Sequence, residues 1–113
     1  MTDINIENAQ SQMRKGTLEF IILLIISKGG PVYASDILQK LREAQLIVVE
    51  GTLYPLLSRL KKASLLKYDW QESTSGPPRK YYSLTQKGQE VLEKLEETWK
   101  KLDQSIKSLI KNK

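Results

Sequence analysis

Apolar residues recur at helical spacing in the middle of the chain. The stretch from Glu50 to Lys62 places leucines at positions 53, 56, 57 and 60, which is one face of a helix. The opposite face carries hydroxyls and positive charge, from Gly51, Tyr54, Pro55, Ser58, Arg59 and Lys62. An apolar back with a basic, hydroxyl-bearing front suits a helix that lies in a groove of nucleic acid. The alternative is an ordinary solvated surface face.

Pro55 limits where this helix can begin. A proline ring is tolerated in the first turn, but further inside a helix it leaves a carbonyl unpaired. We therefore expect the helix to begin close to Gly51 or Thr52, or to be distorted at Pro55.

A first helix is predicted from near Ser11 to just before the breaker Gly29-Gly30-Pro31, and residues 1–10 are polar and expected to be frayed. Its second half, Leu18 to Ile26, is apolar almost all round, which indicates burial on more than one side. A β-strand is the alternative, since isoleucine favours strands. The length of the run favours a helix, and its excess of apolar surface suggests a partner subunit.

A second helix is predicted from Ser35-Asp36, with Ser35 as the N-cap, to about Ala44. Its apolar face consists of Ile37, Leu38 and Leu41. Residues 46–49 are a short connection to the helix at 50–62. Three helices separated by short turns indicate a helix-turn-helix arrangement.

The periodicity then changes to that of strands. Large apolar side chains fall on every second residue from Leu66 to Glu72, a turn cluster covers 73–78, and a second strand covers 79–84. A helix-turn-helix followed by such a β-hairpin is a winged helix. Arg79 and Lys80 lie at the base of this wing, where they can reach phosphates. The alternative for this pair is a charged sheet edge that discourages aggregation.

A last helix is predicted from Thr85, as N-cap, to the end of the chain. Its apolar residues alternate steps of three and four, as in a coiled-coil seam, at Leu92, Leu95, Trp99, Leu102, Ile106 and Leu109. A helix of about 25 residues is too long to fold wholly onto a winged-helix core. We expect it to pair with its own copy, or with the apolar first helix of a second subunit.

Composition excludes several classes of function. The 113 residues suffice for one domain, and the net charge is +5. There is no cysteine and no histidine, which removes thiolate metal sites and the commonest general base, so no metal or cofactor is predicted. Residues 51–84 carry six basic and two acidic groups, so the positive charge is concentrated in the middle third. The longest apolar run is too short for a membrane span, and a cytoplasmic protein is expected.

Two motifs resemble the PadR family of bacterial transcriptional regulators. They are G-T-L-Y-P-L-L-S-R-L at 51–60 and G-P-P-R-K-Y-Y-S-L-T-Q-K-G at 76–88. The order of the predicted elements also matches, and the resemblance covers residues 13 to about 105. The single long C-terminal helix is similar to that of the compact subgroup of the family.

The resemblance implies a homodimer of winged helices that pairs through the first and last helices. Such dimers usually repress genes from a near-palindromic operator in double-stranded DNA. Thr52, Tyr54 and Arg59 match recognition-helix positions, and Arg79 and Lys80 match the wing. Trp99, within E-T-W-K-K-L-D, resembles multidrug-sensing members in which a flat aromatic effector enters a hydrophobic pore at the dimer interface. A packing role alone is the alternative for Trp99.

These inferences give three sets of candidate residues. The DNA-binding set is Ser35, Thr52, Tyr54, Ser58, Arg59, Lys62, Arg79 and Lys80. The dimer-interface set is Phe20, Leu24, Leu92, Leu95, Trp99, Leu102 and Ile106. The effector set, for a small hydrophobic or aromatic ligand, is Trp99, Phe20 and Asp103. We expect residues 1–84 to form the DNA-binding unit and residues 85–113 the dimerisation helix of one compact domain.

Other functions remain as alternatives. An enzyme is disfavoured because the sequence marks no paired acids and no phosphate-binding glycine loop. A winged helix used only for protein interaction is the stronger alternative, because this fold does not dictate function. RNA binding is disfavoured because no aromatic-rich sheet face for base stacking is evident.

Overall fold

The structure is a computed structural model that describes residues 5–73 and 76–112. Within these ranges the chain forms four helices and a two-stranded antiparallel hairpin, which confirms the predicted mainly helical fold with a small β-hairpin. The elements are α1 (Ile6–Gly29), α2 (Ala34–Glu43), α3 (Glu50–Lys62), β1 (Leu66–Ser73), β2 (Gly76–Leu84) and α4 (Gln86–Lys111).

The first helix begins earlier than the pattern predicts. α1 starts at Ile6 because Asn5 caps it, with the Asn5 side chain accepting a hydrogen bond of 3.0 Å from the Asn8 N–H. The predicted start near Ser11 is therefore wrong, since residues 6–10 are helical, while residues 1–4 lie outside the described part. The apolar run is helical, and the strand alternative is excluded. The helix ends at Gly29, and Gly30 reverses the chain with a φ of 68°.

The second helix has a different cap from the predicted one. It begins at Ala34, so Ser35 is inside the first turn and is not the N-cap. The cap residue is Tyr33, whose backbone N–H donates a 2.9 Å hydrogen bond to the Asp36 carboxylate. The apolar face is as predicted, with Ile37 and Leu41 fully buried.

The third helix includes its proline. α3 begins at Glu50, close to the predicted start at Gly51, and Pro55 lies inside it. Because proline has no N–H, residue 55 donates no helical hydrogen bond to the Gly51 carbonyl. Leu53, Leu57 and Leu60 are buried.

The hairpin is longer than predicted on its second strand. The strands pair in register from Leu66 opposite Leu84 to Gln71 opposite Arg79, and the register shifts beyond Gln71. Residues 76–78 belong to β2, so the predicted turn cluster is too long; its members Thr74 and Ser75 lie outside the described residues. The sequence pattern assigned Pro77 and Pro78 to the turn, but they lie in β2. An edge strand tolerates proline at positions where no backbone N–H is needed for pairing.

One core lies between the helices and the hairpin. It draws residues from α1, α2, α3, both strands of the hairpin and the first turns of α4. Val32, between α1 and α2, exchanges two backbone hydrogen bonds of 2.8 and 2.7 Å with Tyr82 of β2, which fixes the hairpin against the helices. The rest of α4 is exposed, and the molecule measures 57 × 32 × 25 Å. In the described ranges, no helix combines the length and the apolar character that crossing a bilayer requires.

Candidate nucleic-acid interface

The start of α2, the exposed face of α3 and the hairpin enclose a cleft of about 370 Å³. Its walls carry hydroxyl, aromatic and cationic side chains. The lining residues are Tyr33, Ala34, Ser35, Tyr54, Trp70, Pro78, Arg79, Lys80 and Tyr82. Four residues of the DNA-binding set therefore meet here, from three separate parts of the chain.

A second cleft of about 190 Å³ lies between the C-terminal half of α3 and the hairpin. It is lined by Leu57, Ser58, Lys61, Lys62, Tyr68, Lys80 and Tyr82. Lys80 and Tyr82 line both clefts, so the two are neighbours along one surface. No carboxylate is among the described side chains that line either cleft, so the surface presents uncompensated positive charge to a ligand.

Aromatic rings support these cations. The Arg79 guanidinium carbon lies 5.1 Å from the centroid of the Tyr33 ring. Lys80 Nζ lies 4.6 Å from the Tyr68 ring centroid and 5.5 Å from that of Trp70, within the range of cation–π attraction. Each ring holds a flexible basic side chain near the cleft. The side chain therefore loses less conformational entropy when a ligand binds.

The hairpin also has an aromatic face that the sequence analysis missed. Tyr68 contacts Trp70 and Tyr82, with ring centroids 5.9 and 5.7 Å apart. Only Trp70 of the three is largely exposed, at 61%. Burial raises the pKa of the Tyr82 hydroxyl above its usual range, with smaller contributions from Tyr54 and Tyr68, so this hydroxyl is uncharged at neutral pH.

Two residues of the DNA-binding set face elsewhere. Thr52 lines a separate cleft of about 250 Å³ between α1 and the connection that precedes α3. Arg59 forms an ion pair with Glu19 of α1, although its side chain is still 65% exposed. The sequence could not show this pairing, because Glu19 is forty residues earlier and belongs to another helix. The six residues that the structure brings together are Ser35, Tyr54, Ser58, Lys62, Arg79 and Lys80.

Lys61 is a further cation of this surface, outside the predicted DNA-binding set. This lysine lines the second cleft, and its Nζ lies 5.3 Å from the Tyr68 ring centroid. Its spacing could have identified it, because Tyr54, Ser58 and Lys61 are at i, i+4 and i+7 and so share one face of α3. Tyr33 was also missed, since it precedes its helix and belongs to no periodic pattern.

The residues predicted for the dimer interface divide into three groups by burial. Leu92 is 2% exposed and lies in the core of its own chain, so its assignment to the interface must be corrected: the first turns of α4 still pack on the core. Phe20, Leu24 and Leu95 are half-buried beside that core. Further along α4, apolar side chains are exposed, namely Trp99 (42%), Leu102 (49%), Ile106 (43%) and Leu109 (74%).

The predicted effector residues lie on two different helices. Phe20 is half-buried on α1 and Trp99 is exposed on α4. Asp103 lies one turn further along α4, where its carboxylate pairs with Lys107 Nζ at 3.0 Å.

Comparison with known proteins decides the family. The sequence model described as "Transcriptional regulator PadR-like family" matches residues 22–94, which include α2, α3 and the whole hairpin. The chain belongs to the PadR-like family of transcriptional regulators. Members of this family are regulators of transcription and not enzymes, and they bind DNA through a winged helix.

Solved structures of PadR-like proteins share the fold over nearly the whole chain. A PadR-like transcription factor from Bacteroides fragilis is 60% identical, with a TM-score of 0.77 over 90% of this chain and 98% of that one. A PadR-like regulator from Bacillus cereus is 39% identical, with a TM-score of 0.78 over 88% and 96% of the two chains. A PadR family regulator from Eggerthella lenta is 30% identical, with a TM-score of 0.83 over 93% and 91%.

Proposed function

We propose that this PadR-like regulator acts as a dimeric repressor that binds a near-palindromic operator. Each protomer inserts α3 into a major groove, with Tyr54 and Ser58 directed to base edges or phosphates, whereas Thr52 lies apart from them in the cleft beside α1. Lys62, Arg79, Lys80 and Arg59, once released from Glu19, neutralise phosphates. Two-fold symmetry of the dimer then requires half-sites about 10 bp apart, or a multiple of that spacing.

The observation that carries this proposal is the basic surface formed by the two neighbouring clefts. A recognition helix and a wing together present Lys61, Lys62, Arg79 and Lys80, and no described acidic residue lines these clefts. Phosphate contacts of this kind fix the register of a protein on a duplex, while the hydroxyl groups of α3 are available to read base edges.

Dimerisation is supported by the exposed seam of α4. Trp99, Leu102 and Ile106 leave apolar surface exposed on the part of the helix that extends beyond the core. A contiguous apolar stripe of this kind needs a partner in water. We propose that residues 1–84 with the first turns of α4 form the DNA-binding unit, and that the rest of α4 pairs with α1 or α4 of a second copy.

Regulation is proposed to act through the same interface. A small hydrophobic or aromatic effector that stacks on Trp99, near Phe20 and Asp103, would favour one separation of the two recognition helices over another. The effector can shift the equilibrium only by the difference in its affinity for the two dimer geometries.

The test is a fluorescence-anisotropy titration with the DNA upstream of the protein's own gene, repeated over a series of salt concentrations. Four cations of this basic surface in each protomer (Lys61, Lys62, Arg79, Lys80) predict that log K falls with log salt with a slope of about −7 for the dimer. Replacing Arg59 and Lys62 with alanine should weaken binding while the dimer survives.

A protein-interaction module is the alternative function. It is favoured by the apolar ring surface of Trp70, which is exposed on the hairpin. DNA binding that is absent, or that does not change with salt, would support this alternative and contradict the regulator.

A further inference from the structure

Tyr68 contacts two lysines that come from different elements. Lys61 Nζ, from α3, lies 5.3 Å from the centroid of its ring, and Lys80 Nζ, from β2, lies 4.6 Å from the same centroid. Both distances are within the roughly 6 Å over which a ring face attracts an ammonium group. One ring on β1 therefore holds a cation of the recognition helix and a cation of the wing beside a single cleft.

The cleft suits a small anion. Its volume of about 190 Å³ is below the roughly 300 Å³ at which pockets for drug-sized ligands begin. Lys62 and the Ser58 hydroxyl also line it, and no acidic side chain is among the described residues there. Three ammonium groups and a hydroxyl match the oxygens of a phosphate group, which accept hydrogen bonds and carry negative charge.

We propose that this cleft binds one phosphate of the DNA backbone, and that Tyr68 is a positioning residue that directs Lys61 and Lys80 towards it. The inference rests on the proposed DNA binding and adds to it a contact that joins the recognition helix to the wing. Without the ring, the two ammonium groups repel one another and occupy more rotamers, so ordering them on DNA costs more free energy.

The experiment compares Tyr68→Leu, Tyr68→Phe and Lys61→Gln with the unsubstituted protein. Dissociation constants are measured over a salt series on the upstream duplex and on a shuffled duplex of the same composition. Lys61→Gln should reduce the salt slope by about one unit per protomer and weaken both duplexes by the same factor, because a phosphate carries no sequence information. Tyr68→Leu should weaken binding about two- to fivefold per protomer, whereas Tyr68→Phe, which keeps a ring face, should bind as tightly as the unsubstituted protein.

A purely structural role for Tyr68 predicts a different result. The comparison is made in a protein that already carries Lys61→Gln and Lys80→Gln. If Tyr68 acts by positioning these lysines, adding Tyr68→Leu should cause no further loss of DNA affinity. If Tyr68→Leu instead disrupts the hairpin, it should cause the same loss of affinity as it does in the otherwise unsubstituted protein. Thermal unfolding shows whether each variant is folded. If Tyr68→Leu does not fold, the salt slopes of the lysine variants and the DNA affinity of Tyr68→Phe still test the inference.

Three results would overturn the inference while leaving DNA binding intact. They are an unchanged salt slope in Lys61→Gln, a loss in Tyr68→Phe as large as that in Tyr68→Leu, and a loss that persists in the double-lysine background. Failure of the unsubstituted protein to bind either duplex would instead reject the proposed function, and the inference with it.

Discussion

Arg59 is a cation of α3 whose charge is already paired. Its guanidinium binds the Glu19 carboxylate of α1, and both side chains are partly exposed. A phosphate that approaches α3 must compete with this carboxylate for Arg59. An exposed pair of this kind stabilises the fold by about 0–1 kcal/mol, so the competition is close to balanced and small changes can shift it.

Glu19→Gln should therefore strengthen DNA binding while leaving the fold almost unchanged. Removing the carboxylate frees Arg59 for phosphate, and we expect the affinity to rise several-fold and the salt slope to steepen by up to one unit per protomer. The measurement is the same anisotropy titration, with thermal unfolding to confirm a change in unfolding free energy of less than about 1 kcal/mol.

The matched control for this prediction is Glu96→Gln. Glu96 also forms an exposed ion pair with a basic residue, Lys100, but on α4, away from the clefts. Glu96→Gln changes the net charge of the protein by the same amount as Glu19→Gln, so any general electrostatic effect appears in both variants. Equal gains in DNA affinity in the two variants would contradict the prediction, because they would show that the Glu19 carboxylate does not keep Arg59 from binding phosphate.

At the scale of elements, α4 is fixed to the core by its first turn. The Thr85 side chain caps the helix by accepting a 2.9 Å hydrogen bond from the Gly88 N–H, and its hydroxyl donates to the Ser64 carbonyl at 2.6 Å. Gly88 packs directly against the backbone carbonyl of Leu65, where a side chain would collide with oxygen. The direction in which α4 leaves the core therefore depends on the absence of a Cβ atom at Gly88.

Gly88→Ala should destabilise the protein by about 1–3 kcal/mol, because neither the helix backbone nor the Leu65 carbonyl can move without breaking other contacts. The control is Gly16→Ala in α1, where a new Cβ atom meets nothing within 4 Å. That change should stabilise the helix by about 0.5–1 kcal/mol. Chemical denaturation at one protein concentration measures both, and equal effects of the two substitutions would contradict the close packing at Gly88.

The type and order of the elements were predictable, because long periodic segments report local structure. The leucine spacing identified α3, and the alternation after Leu66 identified the hairpin. The boundaries were less predictable, since caps decide them: Asn5 extends α1, and Tyr33 with Asp36 moves the start of α2. The prolines after Gly76 suggested a turn, but they are accommodated in an edge strand.

The candidate site was predictable where the face of α3, the start of α2 or the base of the hairpin defined it. Spacing placed Tyr54, Ser58 and Lys62 on the exposed side of α3, and the structure agrees. Contacts between elements, such as the pair of Arg59 with Glu19 or the ring of Tyr68 beside two lysines, depend on tertiary packing and leave no periodic signal. Leu92 is a similar case, because the spacing of apolar residues along α4 does not show at which residue the helix stops packing on the core.

At the scale of the whole molecule, α4 has two parts with different surroundings. Leu92 near its start is buried in the core, whereas Leu102 and Ile106 are 49% and 43% exposed. The exposed part lies on the same helix that contacts α1, and α1 contributes Glu19 to the recognition helix. An interface formed by α1 and α4 would therefore be connected to Arg59 through a single rigid helix.

The combined substitution Leu102→Lys with Ile106→Lys tests whether this seam holds the proposed dimer. In such a dimer two buried like charges per protomer would oppose each other across the interface, so we expect sedimentation to show a monomer for this variant and a dimer for the unsubstituted chain. The control, Gln104→Lys with Ser108→Lys, adds the same charge to exposed positions outside the seam of the same helix.

The seam variant should also lose most of its affinity for a two-half-site operator, because a monomer gains nothing from the second half-site. Added positive charge by itself strengthens DNA binding, so a loss in the seam variant together with a gain in the control can arise only from dissociation of the dimer.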